Sequence, residues 1–167
     1  MGEVRFYHLT ERPLEQILPV MLSRCLERGW RVVVRGTDPA RIETLSAHLW
    51  TDGDASFLPH GTAADGQPSR QPVWMCCDPP NSDGANPNGA NTLFLIDNAG
   101  AEVGELAAME MVAVLFDGLD EAAVAKAREQ WRMVAEAGLK AVYWAQNEQG
   151  TWVKRHETAA GKDQPGA

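Results

Sequence analysis

Trp30-Arg31-Val32-Val33-Val34-Arg35, followed closely by Asp38-Pro39, is the stretch that decides the fold. A run of three valines reads as a strand buried on both faces, as strands of parallel sheets are. Asp38 is a good helix N-cap and Pro39 a good first helical residue. Ile42, Leu45 and Leu49 then make the apolar stripe of a helix ending near Trp50. Upstream, Val4 to Leu9 gathers β-branched and aromatic residues and predicts a strand. Pro13 suits the first turn of a helix. Leu14, Ile17, Leu18, Met21, Leu22, Cys25 and Leu26 follow at spacings of three and four, which is one apolar helix face. Pro19 inside that helix should kink it, and Gly29 is placed to end it. The order strand, helix, strand, helix implies an α/β sheet with parallel strands and right-handed crossovers.

The same reading extends toward the C-terminus. Residues 51–72 are punctuated by Gly53, Pro59, Gly61, Gly66, Pro68 and Pro72 and predict irregular structure. Strands are expected at Val73–Cys77, Thr92–Ile96 and Met109–Phe116. Pro79-Pro80, Asn86-Pro87 and Asn88-Gly89 mark 78–91 as a surface loop. Asp120 should cap a helix from about Glu121 to Ala137, closed by Gly138. Short strands are expected at Leu139–Trp144 and Thr151–Val153. One domain over residues 1–156 and a disordered tail over 157–167 complete the expectation.

Composition narrows the class. The chain has 167 residues, enough for one domain with a real core. It is 44% hydrophobic, so wholesale disorder is excluded. No apolar run approaches the roughly 20 residues that span a bilayer. Met1-Gly2-Glu3-Val4-Arg5 runs straight into a strand pattern, so no signal peptide is expected. The three cysteines, Cys25, Cys76 and Cys77, make a poor disulfide framework and fit a reducing cytoplasm. The net charge of -8 argues against a general nucleic-acid binder, including a weak one that would use the basic ends. Residues 61–120 hold 1 basic and 9 acidic residues and carry the whole excess. The two ends can still present local positive patches.

Motifs for catalysis are missing. There is no GxGxxG, no Walker-type loop and no GxSxG elbow. The first strand-to-helix turn, Leu9-Thr10-Glu11-Arg12-Pro13, has no glycine and carries an acid, so it is no phosphate cradle. No Cys/His spacing matches a zinc site. Two residues leave an enzyme reading open. Asp97 follows the strand Leu93-Phe94-Leu95-Ile96 at its carboxyl end, where open α/β sheets place ligands. His60, in Phe57-Leu58-Pro59-His60-Gly61, is the histidine best placed for chemistry. Either would serve a small metal-dependent hydrolase. The plainer readings are a turn residue and a loop contact.

Residues 121–137 carry the most information. Val124, Arg128, Trp131, Arg132 and Ala135 share one helix face. Ala123, Ala127, Val134 and Ala137 form an adjacent small-residue face that can pack on a sheet. The flank thus offers a large aromatic ring between two guanidinium groups, with Lys126 and Lys140 near in sequence. Arginine grips carboxylates with two parallel hydrogen bonds, and a partly exposed Trp suits an interface anchor. The competing reading makes Trp131 core and pairs the arginines with Glu129 and Glu136.

Four segments together resemble the chi subunit of bacterial DNA polymerase III. They are Phe6-Tyr7-His8-Leu9 through Arg28-Gly29-Trp30-Arg31-Val32-Val33-Val34-Arg35; Leu49-Trp50-Thr51 with Ser56-Phe57-Leu58-Pro59-His60-Gly61; Gln71-Pro72-Val73 with Asn88-Gly89-Ala90-Asn91-Thr92-Leu93; and Ala127-Arg128-Glu129-Gln130-Trp131-Arg132 closing at Gly138. The resemblance implies a Rossmann-like three-layer fold with a mostly parallel sheet and no dinucleotide. It implies a non-catalytic, cytoplasmic adaptor of the clamp loader, with no cofactor and no metal. It further implies two partners. One is the acidic C-terminal tail of single-stranded-DNA-binding protein, met by Val124, Arg128, Trp131 and Arg132. The other is the psi subunit or another clamp-loader component, met by Trp50 and Phe57. Val124 stands where some members carry lysine, and Ala135 replaces an aromatic residue common in the family.

Overall fold

The computed structural model describes residues 3–10, 14–51, 60–62, 71–77, 89–101, 103–149 and 151–157. In chain order the elements are β1 (Glu3–Leu9), α1 (Leu14–Glu27), β2 (Val32–Gly36), α2 (Pro39–Thr51), β3 (Val73–Cys77), β4 (Thr92–Leu95), α3 (Val103–Ala107), β5 (Met111–Asp117), α4 (Glu121–Glu136), β6 (Lys140–Gln146) and β7 (Trp152–Glu157). The strands form one sheet in the order β3-β2-β4-β5-β1-β6-β7. Every neighbouring pair is parallel except β6–β7, which is antiparallel. This is the expected α/β fold with a mostly parallel sheet.

Strand alternation sorts the core into two layers. Tyr7, Leu9, Val32, Val34, Phe94 and Leu115 pack with α1 and α2 on one face. Phe6, Val33, Leu93, Leu95, Val112 and Phe116 pack with α3 and α4 on the other. The three valines of β2 are all fully buried, which is why they read as a continuous apolar run.

Helix ends follow their sequence signals. Asp38 accepts the Ala40 N–H at 3.1 Å. Gly29 has φ +80, and the bonds Gly29 N–H to Leu26 O (2.9 Å) and Trp30 N–H to Cys25 O (3.0 Å) close α1 as a Schellman motif. α1 runs as one helix through Pro19.

Three features of the fold were not anticipated from the sequence. α3 was not foreseen: five residues give no period to read. β7 extends to Glu157, so that residue belongs to the sheet and not to a tail. Residues 158–167 lie outside the described residues. The register of β6–β7 slips at Tyr143/Trp144: Tyr143 faces His156 and Trp144 faces Lys154, so Arg155 bulges from the ladder. All three cysteines are free thiols. Among the described residues no helix is long and apolar enough to cross a membrane.

One buried ion pair ties the layers together. Arg35 is 1% exposed, and its two terminal nitrogens meet the two carboxylate oxygens of Glu105 in α3 at 3.0 and 2.5 Å. It also donates to the Gly100 carbonyl at 3.3 Å. The short helix α3 is thus pinned to β2, the strand next to the β3 edge of the sheet.

Candidate functional site

α4 begins where Asp120, in extended conformation, accepts the Ala122 N–H at 3.0 Å. It ends in a second Schellman motif, with Gly138 at φ +79, Gly138 N–H to Ala135 O at 3.0 Å and Leu139 N–H to Val134 O at 3.2 Å. Ala123, Ala127, Gln130 and Val134 are its buried residues. Gln130 takes the place on that face predicted for Ala137, which is exposed at the C-cap. The cost of burying the Gln130 amide is offset by its donation to the Ala99 carbonyl at 3.1 Å.

The flank is arranged as its spacing predicted. Val124, Trp131 and Ala135 are half-buried, while Arg128 and Arg132 are exposed. The Trp131 ring stands edge-on to Phe6 at 5.3 Å between centroids and to Tyr143 at 6.0 Å. It also lies 6.4 Å from His156 of β7. Trp131 is therefore neither wholly core nor wholly surface; one side packs on an aromatic bed from β1 and β6. Among the described residues, Arg128 and Arg132 form no ion pair with Glu129, Glu136 or any other carboxylate. Their charge is available to a ligand. Lys140 is not: it is bound to Glu3 at 3.4 Å and Glu157 at 3.3 Å.

Behind the arginines sits a polar pair. The His8 Nδ1 and the Tyr143 hydroxyl are 2.5 Å apart, and the His8 ring also packs on Phe116 at 5.1 Å. Burial holds the His8 pKa below its usual value, a backbone hydrogen bond at Gly118 opposes this, and the Arg128 charge lowers it further. Burial raises the Tyr143 pKa, with Arg128 again opposing. Arg128 is thus close enough for its field to reach both groups. A Cβ at position 118 would overlap the His8 ring, so only glycine fits there. Sequence reasoning missed His8, Tyr143 and His156. No local pattern unites residues 135 positions apart; they meet only because β1 and β6 are neighbours.

The remaining candidates lie elsewhere. Trp50 belongs to the last turn of α2, and Phe57 lies outside the described residues. His60 is buried, with Nε2 at 3.1 Å from the Ser46 carbonyl and 3.2 Å from its hydroxyl. Asp97 does follow β4 at the carboxyl end of the sheet, beside a cavity of about 520 Å³ that Glu15, Arg41, Asp117 and Asp120 also line. There Arg41 donates to Asp97 at 3.0 Å and to Glu15 at 2.7 Å. Asp97 and Asn98 have φ of 52 and 70, so the turn reading of Asp97-Asn98 is borne out. Among the described residues no three His, Cys, Asp or Glu side chains converge as a metal site.

Comparison with known proteins gives two findings. Residues 1–142 match the family described as DNA polymerase III chi subunit, HolC. A probable DNA polymerase III subunit chi from Rickettsia prowazekii (strain Madrid E) is 28% identical over 96 residues, covering 58% of this chain and 55% of the relative. The aligned part thus spans about half the length of that relative.

Proposed function

Because the chain belongs to the DNA polymerase III chi subunit family, we propose that it is a non-catalytic, cytoplasmic adaptor of the polymerase holoenzyme that binds the acidic C-terminal tail of single-stranded-DNA-binding protein and links it to the clamp loader. The observation that carries the reading is the pair of exposed guanidinium groups of Arg128 and Arg132, without an ion pair among the described residues, on either side of the half-buried Trp131. The arginines take carboxylates of the tail, and Trp131 with Val124 takes its apolar end. Trp50 and Phe57 serve the psi subunit or another clamp-loader component.

A net charge of -8 repels an acidic tail at long range. Binding therefore rests on local contacts, since charges are screened beyond about 10 Å at 0.1 M salt. A short tail buries little area and loses conformational freedom, so the expected affinity is micromolar, about -8 kcal/mol. The test is a calorimetric titration with a synthetic peptide from the C-terminus of the same organism's single-stranded-DNA-binding protein. The control peptide lacks the last Phe. Saturable binding that the control loses supports the adaptor role; no binding of either peptide at low salt and high concentration rejects it.

A further inference from the structure

The sheet face opposite α4 holds a groove of about 470 Å³ between α1 and the β6–β7 hairpin. Ile17, Val20 and Met21 line its α1 wall, and the tryptophans Trp30, Trp144 and Trp152 line the rest. Val20 is 51% exposed there, one of the two large apolar side chains left open to solvent among the described residues. Three arginines, Arg5, Arg24 and Arg28, share the lining, which holds no carboxylate among the described residues. That is a local inversion of charge in a protein with 23 acidic and 15 basic residues. Arg5 is tied to Glu3, but Arg24 and Arg28 form no ion pair among the described residues. Arg28 instead lies 5.0 Å over the Trp30 ring. The Trp144 indole lines the groove too, and its buried Nε1–H has no acceptor among the described residues.

We propose that this groove is a second docking surface, and that it takes a short acidic peptide segment with an apolar anchor residue. The anchor fills the aliphatic and tryptophan-lined floor, and the carboxylates meet Arg24 and Arg28. A nucleobase fits less well. On the α1 wall Gln16 and Arg24 can meet a polar edge, but Ile17, Val20 and Met21 give it no partner and suit an apolar anchor better. The inference goes beyond the reading of α4 and does not depend on it.

The experiment uses the full chain labelled with ¹⁵N and follows the indole N–H signals. Trp144 is assigned by its absence in Trp144→Phe. The probe is the blocked hexapeptide Glu-Asp-Phe-Leu-Asp-Glu. A control of equal charge has glycine in place of Phe and Leu, and a single-stranded thymidine oligonucleotide forms the third arm. The expected result is a saturable shift of the Trp144 signal with the probe and none with the control. Arg24→Glu with Arg28→Glu should weaken that binding at least about tenfold, while Arg128→Ala with Arg132→Ala leaves it within about twofold, which separates this groove from α4. Arg24→Gln with Arg28→Gln, expected to weaken it less, serves if the charge reversal lowers the melting temperature. No shift with the probe, equal shifts with the control, indifference to the Arg24 and Arg28 variants, or saturation by the oligonucleotide in place of the peptide would each overturn the proposal.

Discussion

Replacing both Arg128 and Arg132 by alanine should separate binding from stability. The two side chains are exposed and hold no ion pair among the described residues. Removing them takes nothing from the fold except a few methylene contacts. Surface substitutions of this kind stay within about 0.5 kcal/mol. For a chain of this length that is a shift of less than about 2 °C in melting temperature. Binding is another matter. An exposed guanidinium–carboxylate contact contributes about 0.5–1 kcal/mol after solvent screening. Two such contacts give about 1–2 kcal/mol, so the tail peptide should bind roughly 5- to 30-fold more weakly. The loss should shrink as salt rises from 0.1 M toward 1 M, because the screening length falls from about 10 to about 3 Å. Calorimetric titration at two salt concentrations and a thermal melt of the same samples supply all the numbers. An unchanged affinity would remove the arginines from the site. A fall of several degrees in melting temperature would show that they serve the fold, contrary to their exposure.

Trp131→Ala should do both kinds of damage, since it removes the anchor and empties the bed on Phe6 and Tyr143; for a half-buried Trp the cost is about 2–3 kcal/mol, read by urea denaturation. Glu105→Ala leaves the Arg35 guanidinium buried without its carboxylate and should cost about 3 kcal/mol, while the apolar double replacement Arg35→Met with Glu105→Leu should recover much of it. His8 gives a pH signature: its pKa is depressed in the folded chain from a usual value of 6.5. The unfolded chain therefore binds the extra proton first, and the His8 contribution is complete above about pH 6.5. It is lost as pH falls through the folded value, and His8→Gln should flatten the stability difference between about pH 7.5 and 5.5.

Much of the fold was legible because its signals are local. The valines of β2, the Asp38 and Asp120 caps and the glycines at 29 and 138 each act within one turn or one strand. So did the exposure pattern of α4, because Arg128, Trp131 and Arg132 recur at helical spacing. What stayed hidden needs the sheet order. His8 and Tyr143 come together through neighbouring parallel strands, and Lys140 is neutralised by Glu3 and Glu157 from two others. Gln130 was absent from the predicted buried face because its acceptor, the Ala99 carbonyl, lies 31 positions away. The arginines of the second groove come from β1, α1 and the turn after it, with no shared period.

The slip in the β6–β7 ladder has its own chemical result. In an unbroken ladder counted from Trp152 opposite Gln146, Arg155 would stand opposite Tyr143. The bulge moves the count on by one and seats His156 there, with its ring beside Trp131. The third neighbour of that indole is accordingly an imidazole ring and not a guanidinium. Deleting Arg155 alone would make the ladder regular and keep the imidazole in place. Deleting His156 would leave β7 the same length and put a guanidinium against the ring. Two strands of equal length, differing only in which residue was dropped, would so give Trp131 different electrostatic company.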